Sequence, residues 1–179
     1  MITIFEGPRN SGKTYLSREY SRINNTEIFK FDFVGWFDRL SLADDKKETH
    51  LFALGKELML LQLNSNGLLP DFVLDRGILT VLTWGVISNR ITKETALSQL
   101  EMISSLGLFE NCEIVFVTGK NPSSELRNKD HWDNRESSQE EIEMLKILVG
   151  IIADPKFNIN VKCIENTFDD EVLQKLENI

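Results

Sequence analysis

Two cysteines and two histidines in 179 residues provide no disulfide framework and little material for a zinc site. Cys112, Cys163, His50 and His131 also lack the paired spacing of zinc ligands. Both cysteines fall in apolar stretches that read as strands, so buried thiols are expected. Four prolines and ten glycines exclude a collagen-like or low-complexity chain. No apolar run is long enough to span a bilayer, and residues 1 to 6 lead straight into a loop with no space for a signal peptide. A cytoplasmic location and no membrane partner are expected. Positive charge is scarce as well, with 20 Lys and Arg against 28 Asp and Glu and a formal net charge of -8. That balance opposes binding to DNA or RNA, which needs a clustered basic face. A small anionic ligand needs only a few well-placed cations.

Against these absences stands one dense motif. Gly7-Pro8-Arg9-Asn10-Ser11-Gly12-Lys13-Thr14 follows the apolar run Ile2-Thr3-Ile4-Phe5-Glu6 and precedes a helical pattern, fitting G-x-x-x-x-G-K-[ST] in full. Glycines let the backbone curl so that successive N–H groups face phosphate oxygens, and the positive end of the next helix adds to that field. In such a loop Lys13 reaches the β- and γ-phosphates of ATP, and the Thr14 hydroxyl ligands Mg2+.

The rest of the chain supplies a setting for that loop. With 41% hydrophobic and 27% charged residues, the chain reads as a single domain over 1–179. Tyr15, Leu16, Tyr20 and Ile23 keep helical spacing, and residues 27–33 alternate as a second strand that places Asp32 at its end. A leucine-rich helix follows from the charged start at 44–48 through Leu51, Leu54, Leu58 and Leu61, its leucines expected in the core. Residues 71–75 form a third strand ending in Asp75, after which Arg76-Gly77 opens a helix to about Arg90. A further helix spans Thr92 to Leu106 and ends near Gly107, and residues 113–119 form the clearest buried strand. Residues 120–136 differ, holding Lys120, Arg127, Lys129, His131, Trp132 and Arg135 with little apolar periodicity. They read as a basic lid. Ser138 with Glu141 heads a helix to Ala153, Asp154-Pro155 stops it, and a strand over 157–164 and a helix over 168–176 finish the chain. Strands alternating with helices imply an α/β fold with a parallel sheet covered on both faces.

Ligands in such sheets sit beyond the carboxyl ends of the strands. Four sites line up there: the phosphate loop, Asp32, Asp75-Arg76 and Asn166-Thr167. Phosphoryl transfer wants a carboxylate near the metal and cations near the phosphates, so Asp75 is a metal ligand candidate and Arg76 an acceptor clamp. The plain alternative is an ordinary helix-terminal ion pair. Arg127 and Arg135 could close over a transferring phosphoryl group, or belong to a solvated loop. Trp36, Trp84 and Phe72 could stack on a base or fill the core.

The Phe5-Glu6-Gly7-Pro8 lead with Gly12-Lys13-Thr14, then Asp75-Arg76, then the Arg127 to Arg135 segment, resembles the thymidylate kinase and deoxynucleoside kinase superfamily of P-loop kinases over almost the whole chain. The resemblance implies a three-layer P-loop NTPase fold with a five-stranded parallel sheet. It also implies ATP with Mg2+ as donor, a nucleoside or nucleotide acceptor under an arginine-bearing lid, and a homodimer paired through helices. Asn166 and Thr167 are similar to the loop that flanks the donor adenine in that family. Two departures bear on the acceptor. Arg9 stands where thymidylate kinases usually carry an acid, and Lys30-Phe31-Asp32-Phe33 stands where an Arg-Glu-Pro-Gly-type sequence is expected. Asp32 followed by Trp36 is loosely similar to the catalytic acid arrangement of deoxynucleoside kinases.

Three functions are carried forward. A nucleoside monophosphate kinase would use Arg9 and Arg76 to hold an acceptor that is already ionised. A deoxynucleoside kinase would use Asp32 as base for a sugar hydroxyl. A nucleotide-binding module without catalysis would regulate a partner through its acidic surface. The cations favour the first.

Overall fold

The computed structural model describes residues 1–30, 46–119, 139–167 and 169–177. Five parallel strands, β1 (Ile2–Glu6), β2 (Glu27–Lys30), β3 (Phe72–Asp75), β4 (Cys112–Thr118) and β5 (Asn160–Glu165), form one sheet in the order β2-β3-β1-β4-β5. Every residue of β1 and β3 is buried, as expected of interior parallel strands that carry helices on both faces. Alternation along them feeds two cores. Ile2, Ile4, Phe72, Leu74, Ile114 and Phe116 pack on one face, while Phe5, Val73, Val115, Val117 and Ile164 pack on the other.

Helices α2 (Lys46–Ser65), α3 (Ile78–Ile87), α4 (Lys93–Ser105) and α5 (Gln139–Ile152) cover the first face. The second is covered by α1 (Lys13–Asn24) and α6 (Asp170–Leu176). At its start α4 is capped by the Thr92 hydroxyl, which accepts from the Thr95 N–H at 3.2 Å. None of the described helices is long and apolar enough to cross a membrane.

Three expectations are corrected. Leu54 and Leu61 of α2 are buried, but Leu51 is 61% exposed and lies with Met59 on an outward stripe. For Phe72 the core reading holds, since it lies buried at the start of β3, away from the carboxyl ends where a base would stack. Of the two cysteines, Cys112 is buried and Cys163 exposed, because β5 is the sheet edge and of its six residues only Ile164 is buried. Finally, β5 begins at Asn160 and not at Phe157, since Asp154 accepts from the Lys156 N–H and starts a single 3-10 turn over Pro155–Phe157.

Because β1 lies at the middle of the sheet between β3 and β4, the carboxyl ends of these three parallel strands lie side by side. Within that sheet Phe5 pairs in register with Asp75 and Glu6 with Phe116.

Candidate active site

The chain turns sharply at the end of β1. Gly7 has φ 148°, and a Cβ there would collide with the carbonyl oxygen of Val117 on β4, so the position requires glycine. Asn10 at φ 61° and Gly12 at φ 83° complete a loop of left-handed turns. The Gly12 carbonyl then accepts from the N–H groups of Tyr15 and Leu16 at 2.9 and 3.0 Å, opening α1. The side-chain amide nitrogen of Asn10 and the hydroxyl of Ser11 are buried without a hydrogen-bond partner among the described residues. Both are groups an anion would satisfy.

Lys13 is buried within this loop, and its Nζ donates to the Pro8 carbonyl at 2.9 Å. Burial first, then the nearby Arg76 guanidinium, pushes the Lys13 ammonium down to about 7, against the opposite pull of Asp75, Glu6 and Glu141. A bound polyphosphate would reverse that balance. Asp75, the last residue of β3, is 2% exposed, and neither carboxylate oxygen has a hydrogen-bond partner among the described residues. Such a group is costly unless a cation meets it. Arg76 follows at φ 81°, unusual for a side chain of its size, with its N–H donating to the Phe5 carbonyl at 3.0 Å.

Among the described residues no group of three or more His, Cys, Asp or Glu is arranged to hold a metal. Mg2+ is commonly held by one or two protein oxygens together with substrate phosphates. The Thr14 hydroxyl and the orphaned Asp75 carboxylate are hard oxygen donors of that kind.

Arg9 reaches the helices beside the loop. Its Nε lies 3.8 Å from an Oε2 of Glu141 on α5, and its guanidinium lies over the Trp84 ring of α3 at 5.5 Å from the centroid. Loop, α3 and α5 therefore meet through this one side chain. At the end of β5, Asn166 is buried and its side-chain amide donates to the Ser11 carbonyl at 2.9 Å. Thr167 is exposed and bonds Asp169.

The fold thus brings Gly7, Pro8, Arg9, Asn10, Ser11, Gly12, Lys13, Thr14, Asp75, Arg76 and Asn166 together at the ends of β1, β3 and β5. Asp32, Trp36, Arg127 and Arg135 lie outside the described residues. Three acidic residues stand at the site without a role there having been expected from the sequence. Glu6 is fully buried at the end of β1, Glu57 of α2 is 2% exposed beside it, and Glu141 reaches the loop from α5. For Glu6 a signal was available: an acid closing an otherwise apolar buried strand needs partners.

No known protein family and no curated protein sequence matches the chain. Solved structures do. A thymidylate kinase from Candida albicans is 22% identical with TM-score 0.63, covering 99% of this chain and 90% of that one. A deoxyadenosine kinase from M. mycoides with bound dATP is 16% identical with TM-score 0.61, covering 99% and 98%. The YorR protein of Bacillus subtilis, in complex with phosphorylated GDP, is 14% identical with TM-score 0.58, covering 99% and 94%. With its five-stranded parallel sheet between helical layers, and likeness to these structures along nearly its whole length, the chain adopts the P-loop nucleotide kinase fold.

Proposed function

We propose that the protein transfers the γ-phosphoryl group of ATP to a nucleoside monophosphate. The observation that carries this reading is the meeting of Lys13, Arg76 and the orphaned Asp75 carboxylate beside the glycine-bent loop. Two cations at one point suit a reaction whose partners are both anions and whose transition state spreads charge over phosphoryl oxygens. Mg2+, held by Thr14 and Asp75, would supply charge neutralisation at the donor phosphates. Lys13 would exchange its bond to the Pro8 carbonyl for one to those phosphates. Arg76 would hold the acceptor phosphate, with Arg127 and Arg135 from the lid segment at the group in transfer. Asn166 holds the loop's backbone from below, a role for it beside the expected contact with adenine.

The kinases of like fold act on both nucleosides and nucleotides, so the test is a panel. The protein is offered ATP, Mg2+ and nucleosides, nucleoside monophosphates or no acceptor, and ADP release is followed. Turnover with monophosphates supports the reading. Turnover with nucleosides alone would replace it by a deoxynucleoside kinase with Asp32 as base. Tight ATP binding with no acceptor-dependent ADP would leave a nucleotide-binding regulatory module. In an active enzyme, Arg135→Ala should lower turnover more than ATP affinity.

A further inference from the structure

The amino terminus of α3 has no cap of its own. Its N-cap residue is Gly77, which has no side chain to accept a bond, and its first turn contains no acid. The acceptor comes from another strand. Oε1 of Glu6 accepts from the N–H groups of Gly77, Leu79 and Thr80 at 3.0, 2.9 and 3.3 Å, and its Oε2 accepts from the Thr80 hydroxyl. Glycine at 77 is what admits this carboxylate. A Cβ there would come within 2.7 Å of Ile4 Cγ2 and 3.3 Å of Glu6 Oε1.

The place of the clamp is what gives it a consequence. Glu6 is the residue immediately before the phosphate loop, and Gly77 immediately follows Arg76. Arg76 is therefore gripped on both sides. Its own N–H is held by the Phe5 carbonyl, and the next residue's N–H is held by Glu6. A left-handed backbone at a bulky residue persists only when its surroundings over-determine it. We propose that Glu6 is the positioning residue of the Asp75-Arg76 turn, holding the start of α3 so that Asp75 and Arg76 keep their orientation toward the phosphate loop. The catalytic consequence rests on the kinase reading; the structural one does not.

The test is Glu6→Gln, which keeps the shape but replaces one acceptor oxygen by an NH2 group facing N–H donors, with Thr80→Val as a milder variant that removes a single donor. The first measurement is amide hydrogen exchange, which needs no activity. Protection of the Arg76, Gly77, Leu79 and Thr80 amides should fall in Glu6→Gln, with loss confined to this turn and α1 unchanged. Unchanged protection at these amides would overturn the clamp. The second measurement is turnover with the acceptor identified by the panel. Glu6→Gln should lose about tenfold in kcat, roughly the effect of a 1.4 kcal/mol change in barrier, with ATP affinity preserved. The same substitution added to Arg76→Ala should cost little more than Arg76→Ala alone. A full multiplicative loss in the double variant would mean that Glu6 does not act through Arg76. If Glu6→Gln fails to fold, Thr80→Val carries both measurements with smaller changes in the same directions. A wild-type protein that transfers to no acceptor defeats the kinase reading and leaves the exchange measurement to decide the clamp.

Discussion

The side-chain amide of Asn166 donates to the Ser11 carbonyl at 2.9 Å across 155 residues of sequence, tying the end of the last strand to the middle of the phosphate loop. A second bond fixes the tie, since the Asn166 N–H donates to the Thr118 carbonyl at 2.9 Å. Gly119 beside it has φ 108° and lacks room for a Cβ against the Asn166 carbonyl. The loop is thus tied through Asn166 to the ends of β4 and β5.

Replacing Asn166 by Ala would leave the Ser11 carbonyl buried without this donor, at a cost of about 1–3 kcal/mol. The expected outcome is a lower unfolding midpoint in urea together with severalfold weaker ATP binding, measured by titration with a fluorescent nucleotide. Weaker binding without any loss of stability would instead point to direct contact with the nucleotide.

The phosphate loop was legible because its function depends on a backbone path that residues at fixed local spacing impose, Gly7 and Gly12 above all. Asp75-Arg76 was legible because it ends an apolar run, and strand ends are where parallel sheets bind ligands. Glu6 was not, although it sits next to the motif. Its partners lie 71 to 74 residues along the chain and meet it only once β1 and β3 pair. The reach of Glu141 to Arg9 is hidden in the same way, since a helix pattern tells where an element starts but not which distant loop its first residues touch, and Asn166, placed at the site by its strand end, gave no sign of its bond to Ser11. Cys163 shows the converse. An apolar neighbourhood suggested burial, but its fate was decided by the place of β5 at the sheet edge.

Asp75 separates a functional from a structural role in one substitution. It makes no hydrogen bond among the described residues, so Asp75→Asn forfeits none. Thermal stability should stay within roughly 1 kcal/mol of the parent protein, the range of changes that break no buried network. Phosphoryl transfer should fall about a hundredfold, the scale set by removing one group that stabilises developing charge. Activity and its Mg2+ dependence, followed in parallel with the melting temperature, provide the check. Lost stability with retained activity would return Asp75 to an ordinary ion pair.

The cysteines offer a test of the fold itself. Burial pushes the Cys112 thiol up to about 12, which leaves almost no thiolate at neutral pH, whereas Cys163 is exposed on the edge strand. One equivalent of a thiol reagent should react quickly with the native protein and two after denaturation. Peptide mapping should place the native modification at Cys163. Two fast equivalents would contradict the packing of Cys112 beneath α2.

Glu6 makes stability depend on pH in a defined window. Burial pushes its carboxyl up from 4.5 to about 7, and neighbouring Glu57 of α2 adds to the rise, while the Thr80 donors of α3 and Lys13 of α1 act the other way. Between these values the unfolded chain has released the proton and the folded chain still holds it. The native state therefore binds more protons, and stability falls as pH rises from about 4.5 to about 7. A shift of this size is worth at most about 3 kcal/mol, at 1.36 kcal/mol per unit. Glu57 is also raised by burial and slopes in the same direction, so Glu6→Gln should flatten the profile without levelling it. Urea midpoints at pH 5 and pH 7.5 measure the difference, and the wild type should lose more stability between them than the variant. Equal losses would show that the Glu6 carboxylate is already ionised throughout, held so by the four donors at the start of α3.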